Sequence, residues 1–486
     1  MTTRAEQDQV ADPGGAGPAP RGQMGALELA FFVVAAAGPL LVVAGFAPLA
    51  FLLGGIGAPG AQLVAALVLL LFAIGFTRMS PRVPNRGAFY AYIGRSLGRP
   101  MGGGSATLAL AAYSAIAIGQ FGAFGAFASG TLSRQADIEV DWVWLSLAAL
   151  LVVTLLAYRR ISLSAKVLGT LLLAEVVILL VLAVPVVLTG GDSGFSFESF
   201  NPSHVFTGEG TGAMFVIVFG AFIGFESTAI YSDEARDPRR TVPRATFLAI
   251  GFLGLFYTFM AWIAVVAFGS ANVVQVATED PTGMFFVATE RYVGHPATVV
   301  MEVLLITSTF ASSLAFHNTA SRYFFTLGTE RLLPRAISRI NRYGSVGVAC
   351  LVQAALALVT VLVFRLFGAD PYLALFLLLA GPGILAVVVL QLLCSVAVTV
   401  FFVRERADDV GVFAKYVAPP ASAVGLAVAT YLIVTNFDLL TGRTNWVNDL
   451  LLLTLPAAFL IGLVSTLVVR SRWPDRYEKL TNARVW

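Results

Sequence analysis

The sequence predicts an all-α membrane protein. It predicts twelve transmembrane helices, built as a five-plus-five inverted-topology repeat plus two C-terminal helices, with helices 1 and 6 discontinuous. Three observations carry this prediction. The first is composition: of 486 residues, 58% are hydrophobic and only 12% are charged, about half the charged share of a soluble domain. Mean hydropathy is +0.83. The second is length: a bilayer core needs ~20 apolar residues as helix, and such stretches run at 27–53, 61–77, 101–129, 142–158, 167–190, 210–232, 245–269, 297–321, 344–364, 371–403, 416–437 and 449–469. The third is charge. With the N-terminus placed inside, 27 of the 31 basic residues fall in inner segments, and only Arg134, Arg291, Arg365 and Arg443 fall in outer loops. Cytoplasmic loops carry such an excess, so both termini are expected to be cytoplasmic.

The same figures exclude several classes. The chain is too apolar for a disordered protein or an ordinary cytosolic enzyme. A net charge of +3 is too small to suggest nucleic-acid binding. Cys350 and Cys394 lie inside apolar runs and read as packing residues. Alternating ten-residue patterns are absent, which argues against a transmembrane barrel. No metal cluster and no nucleophile–base pair appears within the spans, so no enzyme activity, metal or cofactor is expected.

Residues 1–24 are rich in Gly, Pro and Ala and read as a disordered cytoplasmic tail without a cleaved signal peptide. Residues 25–470 form the membrane domain. Repeat one covers about 25–190, repeat two about 210–404, and helices 11 and 12 about 416–470. The stretch 471–486 is a short basic tail.

The repeat rests on two segments. Gly87-Ala-Phe89-Tyr90 through Arg95, Gly98 and Pro100 aligns without a gap to Gly283-Met-Phe285-Phe286 through Arg291, Gly294 and Pro296, with five of fourteen positions identical. The charge count puts the first inside and the second outside, five spans apart. In inverted repeats the first helix of each half is broken at the site. Span 1 contains Ala36-Ala37-Gly38-Pro39, and Pro removes a backbone donor while Gly lets the chain leave the helix. Span 6 contains Phe222-Ile223-Gly224-Phe225-Glu226, and a carboxylate inside the membrane marks a functional site.

The sequence resembles the amino acid–polyamine–organocation superfamily of permeases over residues 25–470. The residues that carry the resemblance are Phe222 to Ser227 followed by Asp233-Glu234 through Arg236-Asp237-Pro238 and Pro243-Arg244-Ala245, Pro84 to Tyr92 with Leu97-Gly98, and Asn318 to Tyr323 with Leu333-Pro334-Arg335. The resemblance implies the leucine-transporter fold and alternating access, with a substrate held between helices 1, 3, 6, 8 and 10. It also implies proton coupling or exchange. Many amino-acid members carry a Gly-Ser-Gly-type turn in helix 1, and Ala36-Ala37-Gly38-Pro39 departs from it. Proline near this place looks like the polyamine and amine-type members. Where arginine/agmatine antiporters place an aromatic lid, this chain has Gly220, so a lid would be Phe219, Phe222 or Phe225.

The candidate substrate-binding residues are therefore Ala36, Ala37, Gly38, Pro39, Phe219, Gly220, Phe222, Ile223, Gly224, Phe225 and Glu226. Glu226 reads either as partner of a substrate amine or proton carrier, or as a cap on the second half-helix. Glu175, mid-span in helix 5, stands where some proton-coupled relatives carry a titrating Lys. It reads as a proton or cation site, or as an acid bonded to neighbouring hydroxyls. Ser312 and Ser313, with Thr309, sit where sodium-coupled members of this fold hold sodium, although such hydroxyls more often bridge to backbone. Tyr113 and Gln120 are candidate pocket walls. Glu302 and Glu28 read as interfacial, His317 as a packing residue or a titrating group, and Gly381-Pro382-Gly383 as a break in helix 10. Asp233, Glu234 and Asp237 are candidates for an inner gate with arginines of 78–99.

The function expected is secondary active transport of an amino acid or related amine across the plasma membrane. Polyamine or potassium transport is the alternative, with a channel or sensor behind it. The expected partners are a small-molecule substrate, a proton or sodium ion, the lipid bilayer and no nucleic acid, in a monomer or homodimer.

Overall fold

A computed structural model describes residues 24–83, 89–160, 165–208, 210–226, 228, 235–405, 410–441, 446–478 and 480. Asp233, Glu234, Ser227, Arg443, the 84–88 part of the inner loop and most of both tails lie outside the described residues. Among the described residues there is no β-strand, only an isolated bridge from Met24 to Ala235.

Long apolar runs favour helix in a membrane because each helix satisfies its own backbone. Nine helical stretches among the described residues are long and apolar enough to cross one. The chain opens with α1 (Ala26–Ala37), then a π-helical turn over Leu41–Phe46 that runs into α2 (Ala47–Gly54) and α3 (Ala58–Met79). There follow α4 (Phe89–Leu97), α5 (Arg99–Ala136), α6 (Trp142–Tyr158), α7 (Ala165–Thr189) and α8 (Thr211–Gly220). The second half holds α9 (Pro238–Phe268), α10 (Met284–Tyr292), α11 (His295–Thr329), α12 (Gly347–Leu366) and α13 (Leu377–Arg404). The last two are α14 (Ala418–Thr435) and α15 (Trp446–Arg472). The helices in the places of expected spans 1, 4 and 6, α1, α6 and α8, are the shorter apolar ones.

Burial sorts these helices into an inner and an outer set. In α5, 78% of the apolar window is buried, against 17% in α15, so α5 is the central post and α15 is peripheral. α5 packs on α11, α13 and α15. Leu188, Leu366 and Tyr431 on the outer set are exposed apolar side chains, a surface suited to lipid.

The two matching sequence segments take matching shapes. α4 and α10 are each nine residues long. Each leads into a glycine of positive φ, Gly98 at +101° and Gly294 at +110°. The long helices α5 and α11 follow, with Pro in the first turn, where its missing N–H costs nothing.

Three of the four arginines assigned to outer loops are paired with acids. Arg134 Nε meets Glu302 Oε1 at 2.6 Å, Arg291 meets Asp192 at 2.5 Å and Arg365 meets Asp141 at 2.6 Å. Glu302 is thus not interfacial: it is fully buried, and the Arg134 guanidinium stands over the Phe286 ring of α10. Glu28 is exposed and accepts from the Gly25 amide at 2.7 Å. Gly381-Pro382-Gly383 does not break its helix, since α13 runs unbroken through Pro382. Asp237 pairs with Arg240 at 3.8 Å. His317 is buried and its Nε2 lies 3.3 Å from Cys350 Sγ.

Candidate functional site at two helix ends

α1 stops at Ala37. Gly38 takes φ +66°, and its amide folds back to Ala35 O at 3.3 Å. Pro39 has no N–H to give. The next amide, Leu40 N–H, donates to Glu175 Oε2 of α7 at 3.0 Å rather than to the Ala36 carbonyl. A side chain 135 positions away therefore takes the place of the helical bond. At Gly38 this backbone also lies close to α11: an added Cβ would lie 2.9 Å from Ser308 Oγ.

α8 stops at Gly220 without a left-handed cap, since Ala221 keeps its helical bond to Ile217 O at 3.1 Å. Beyond it the chain runs in tight i→i−3 turns, Phe222 N to Phe219 O at 3.2 Å, Ile223 N to Gly220 O at 3.1 Å and Phe225 N to Phe222 O at 3.3 Å. Gly224 takes φ +118°, and its amide donates to Glu226 Oε2 at 3.0 Å. The other Glu226 oxygen accepts from the Tyr113 hydroxyl of α5. Glu226 is buried, as is Glu175. At both places a donor released from the helix ladder is taken by a carboxylate, the strong form of amide hydrogen bond.

Between the two helix ends lies a cavity of ≈ 20 Å³, room for about one water. Ala37 and Val42 line it from the first segment, Gln120 from α5, Ile223 from the turns after α8, Ser312 from α11 and Ile384 from α13. Gly220 also faces it, packed so closely on Ile384 that an added Cβ would meet Ile384 Cδ1 at 2.6 Å. Aromatic layers stand on either side. Toward the start of α5, Tyr113 stacks on Tyr323 at 5.3 Å and on Phe316 at 6.4 Å. Toward its end, Phe127 meets Tyr372 at 5.3 Å, Tyr372 stacks on Phe376 at 5.7 Å, and Phe46 meets Phe376 at 5.4 Å. The Tyr372 hydroxyl donates to Gly45 O. Tyr113, Gln120 and Phe127 are spaced by seven, so they share one face of α5, ~10.5 Å apart per step. One helix face thus carries floor, pocket wall and roof.

The candidate residues divide on this geometry. Ala37, Gly220, Ile223 and Ser312 line the cavity, as does Gln120. Gly38, Pro39, Gly224 and the Ala36 backbone form the two helix interruptions. Phe219 packs on Phe215, Phe222 on Tyr257 and Phe225 on Phe72, so these rings turn away from it. Ser313 donates to Thr309 O of its own helix at 2.7 Å. Glu175 and Glu226 sit behind the lining, each on a freed amide. Phe376, at the end of the π-helical turn Pro371–Phe376 that leads into α13, and Ala380 and Ile384 of α13 were not singled out in the sequence. The pointers to that region were helix 10, which the resemblance places at the substrate, and Gly381-Pro382-Gly383, which lies between Ala380 and Ile384.

A family model described as amino acid permease matches residues 31–479. The chain belongs to the amino acid permease family. This is a family of transporters, and with the long apolar helices it makes the chain an integral membrane protein. The chain is 24% identical over 318 residues to the branched-chain amino acid permease BcaP of Lactococcus lactis subsp. cremoris, covering 59% of this chain and 64% of that protein. It is 25% identical over 188 residues to the histidine permease HisP of the same organism, covering 38% and 39%. It is 24% identical over 297 residues to the inner membrane transport protein YbaT of Escherichia coli, covering 59% and 66%. The matched stretches span less than two thirds of each of these relatives.

Proposed function

We propose that this permease is a secondary active transporter that carries an amino acid or related amine across the plasma membrane by alternating access. The observation that carries the reading is the cavity itself. It is walled by both helix ends and by α5, α11 and α13, and layered by aromatics above and below. A site between two interrupted helices is where inverted-repeat transporters hold their substrate. The relatives named for branched-chain amino acids and for histidine support an amino-acid substrate.

In this reading the chain crosses the membrane twelve times in two inverted five-helix repeats. The Gly38 and Gly224 reversals interrupt spans 1 and 6, and both termini face the cytoplasm. Glu175 and Glu226 carry the coupling proton, because each can exchange its amide hydrogen bond for a proton without leaving a bare buried charge. One charge falling through ~100 mV releases ~2.3 kcal/mol, enough for more than tenfold accumulation. The test is uptake of labelled amino acids into proteoliposomes under an imposed pH gradient without sodium. Accumulation that follows the gradient and collapses with a protonophore is expected. Uptake that runs only with sodium would remove the proton role and move the coupling to Ser312 beside the cavity.

A further inference from the structure

The cavity contains one polar side-chain pair and no ionisable group. Gln120 Nε2 donates to Ser312 Oγ at 3.4 Å, and both residues are buried. Gln120 Oε1 has no partner. An amide with one end engaged and the other unpaired in an apolar interior is costly unless something fills it. If the amide were flipped, the unpaired end would be a donor instead, and one end would still be open. The rest of the lining is aliphatic or aromatic, with Leu41, Ile116, Ile223 and Ile384 as its bulkiest aliphatic members. The two carboxylates nearest the chain reversals are already committed, Glu175 to Leu40 N–H, and Glu226 to Gly224 N–H and the Tyr113 hydroxyl.

We propose that this cavity selects a neutral amino acid with an aliphatic side chain, and that Gln120 is the residue that determines it. The inference rests on the transport reading above and narrows its substrate. The open end of the Gln120 amide receives the polar head of the substrate, its Oε1 accepting from the ammonium group. The side chain lies among Ile116, Ile223 and Ile384. A cationic or anionic side chain would enter an apolar enclosure without a counter-charge, which is strongly unfavourable. A substrate without the polar head would leave Gln120 unpaired, the condition under which sites reject analogues most strongly. Ile384, held against Gly220, sets the depth of the pocket. The cavity admits about one water as it stands, so the walls part when substrate enters and the same side chains meet it.

The experiment measures uptake by the full-length protein in proteoliposomes for L-leucine, L-isoleucine, L-valine, L-phenylalanine, L-lysine, L-glutamate and putrescine. The aliphatic three should exceed lysine and glutamate by at least about tenfold in kcat/KM. Gln120→Met, close in shape but unable to hydrogen bond as an amide, should raise KM for leucine about tenfold with unchanged melting temperature. Ile384→Ala should shift preference toward phenylalanine. Gln120→Glu should move the lysine-to-leucine ratio upward, a gain that loss of folding cannot imitate, and it decides the case if Gln120→Met fails to fold. Lysine or glutamate carried as well as leucine, an unchanged KM in Gln120→Met, or an unchanged ratio in Gln120→Glu overturns the proposal. Should no amino acid move while the protein is folded, the transport reading itself falls, an outcome distinct from the failure of selectivity alone.

Discussion

The reversals at Gly38 and Gly224 solve one problem in two ways. Each releases a backbone amide inside an apolar protein, and each gives that amide to a carboxylate. At Gly224 the carboxylate is local: Glu226 lies two positions on, and Tyr113 of α5 anchors its other oxygen. At Gly38 the carboxylate is remote, since Glu175 reaches in from α7. A local staple keeps its shape whatever the neighbouring helices do. A remote one holds only while α1 and α7 stay together, so any separation of these helices frees both the Leu40 amide and an acid. The Gly224 break is thus bound to α5, and the Gly38 break to α7, with Ser308 of α11 packed close beside it.

Neutralising the two acids separately sharpens this contrast most. In Glu226→Gln the new amide accepts from Gly224 N–H with its oxygen and donates to the Tyr113 oxygen with its nitrogen, so the staple survives and only the charge is lost. We expect uptake in proteoliposomes to fall ~100-fold, equivalent to ~2.7 kcal/mol, with a monodisperse, folded protein on size exclusion. Wild-type uptake by this variant would sink the coupling role of Glu226. In Glu175→Gln the bond to Leu40 N–H likewise survives. Here we expect a loss of only ~10-fold, about 1.4 kcal/mol, together with loss of the response to an imposed pH gradient. A Glu175→Gln protein that still follows the gradient would confine coupling to the Gly224 side.

How much of this was legible in the sequence follows the same division. The helical class shows in apolar runs of bilayer length. Family membership shows in the residues around span 6, in 84–98 and in 318–335. Hydropathy could not show where α1 and α8 stop, because apolar residues continue through 27–53 and 210–232 whether or not the backbone stays helical. The facing of residues 219–226 was equally hidden. Once the chain runs in i→i−3 turns the 3.6-residue period is lost, and Ile223 faces the cavity while Phe222 and Phe225 pack toward α9 and α3. Partners far apart in the chain were the other blind spot. Arg134 and Glu302 stand 168 positions apart, so the glutamate read as interfacial when it is buried and paired with an arginine that is partly exposed. Glu175 was equally hard to place, because its ligand at Leu40 is a backbone amide.

Alanine at the two glycines gives a smaller and more structural test. Both positions have positive φ, which a Cβ disfavours by roughly 1–3 kcal/mol. Gly224 has open space where a Cβ would go, whereas a Cβ on Gly38 would lie 2.9 Å from Ser308 Oγ. Gly38→Ala therefore carries a steric cost on top of the backbone one, and Gly224→Ala carries the backbone cost alone. Removing the hydroxyl with Ser308→Ala should restore part of the stability of Gly38→Ala and none of that of Gly224→Ala. Melting temperatures of the three single and two double variants measure the coupling directly, and neighbouring sites of this kind couple by ~0.5–3 kcal/mol. Equal rescue of both glycine variants would mean that α11 does not press on the Gly38 reversal, and the distinction between a remotely held and a locally held helix end would lose its steric half.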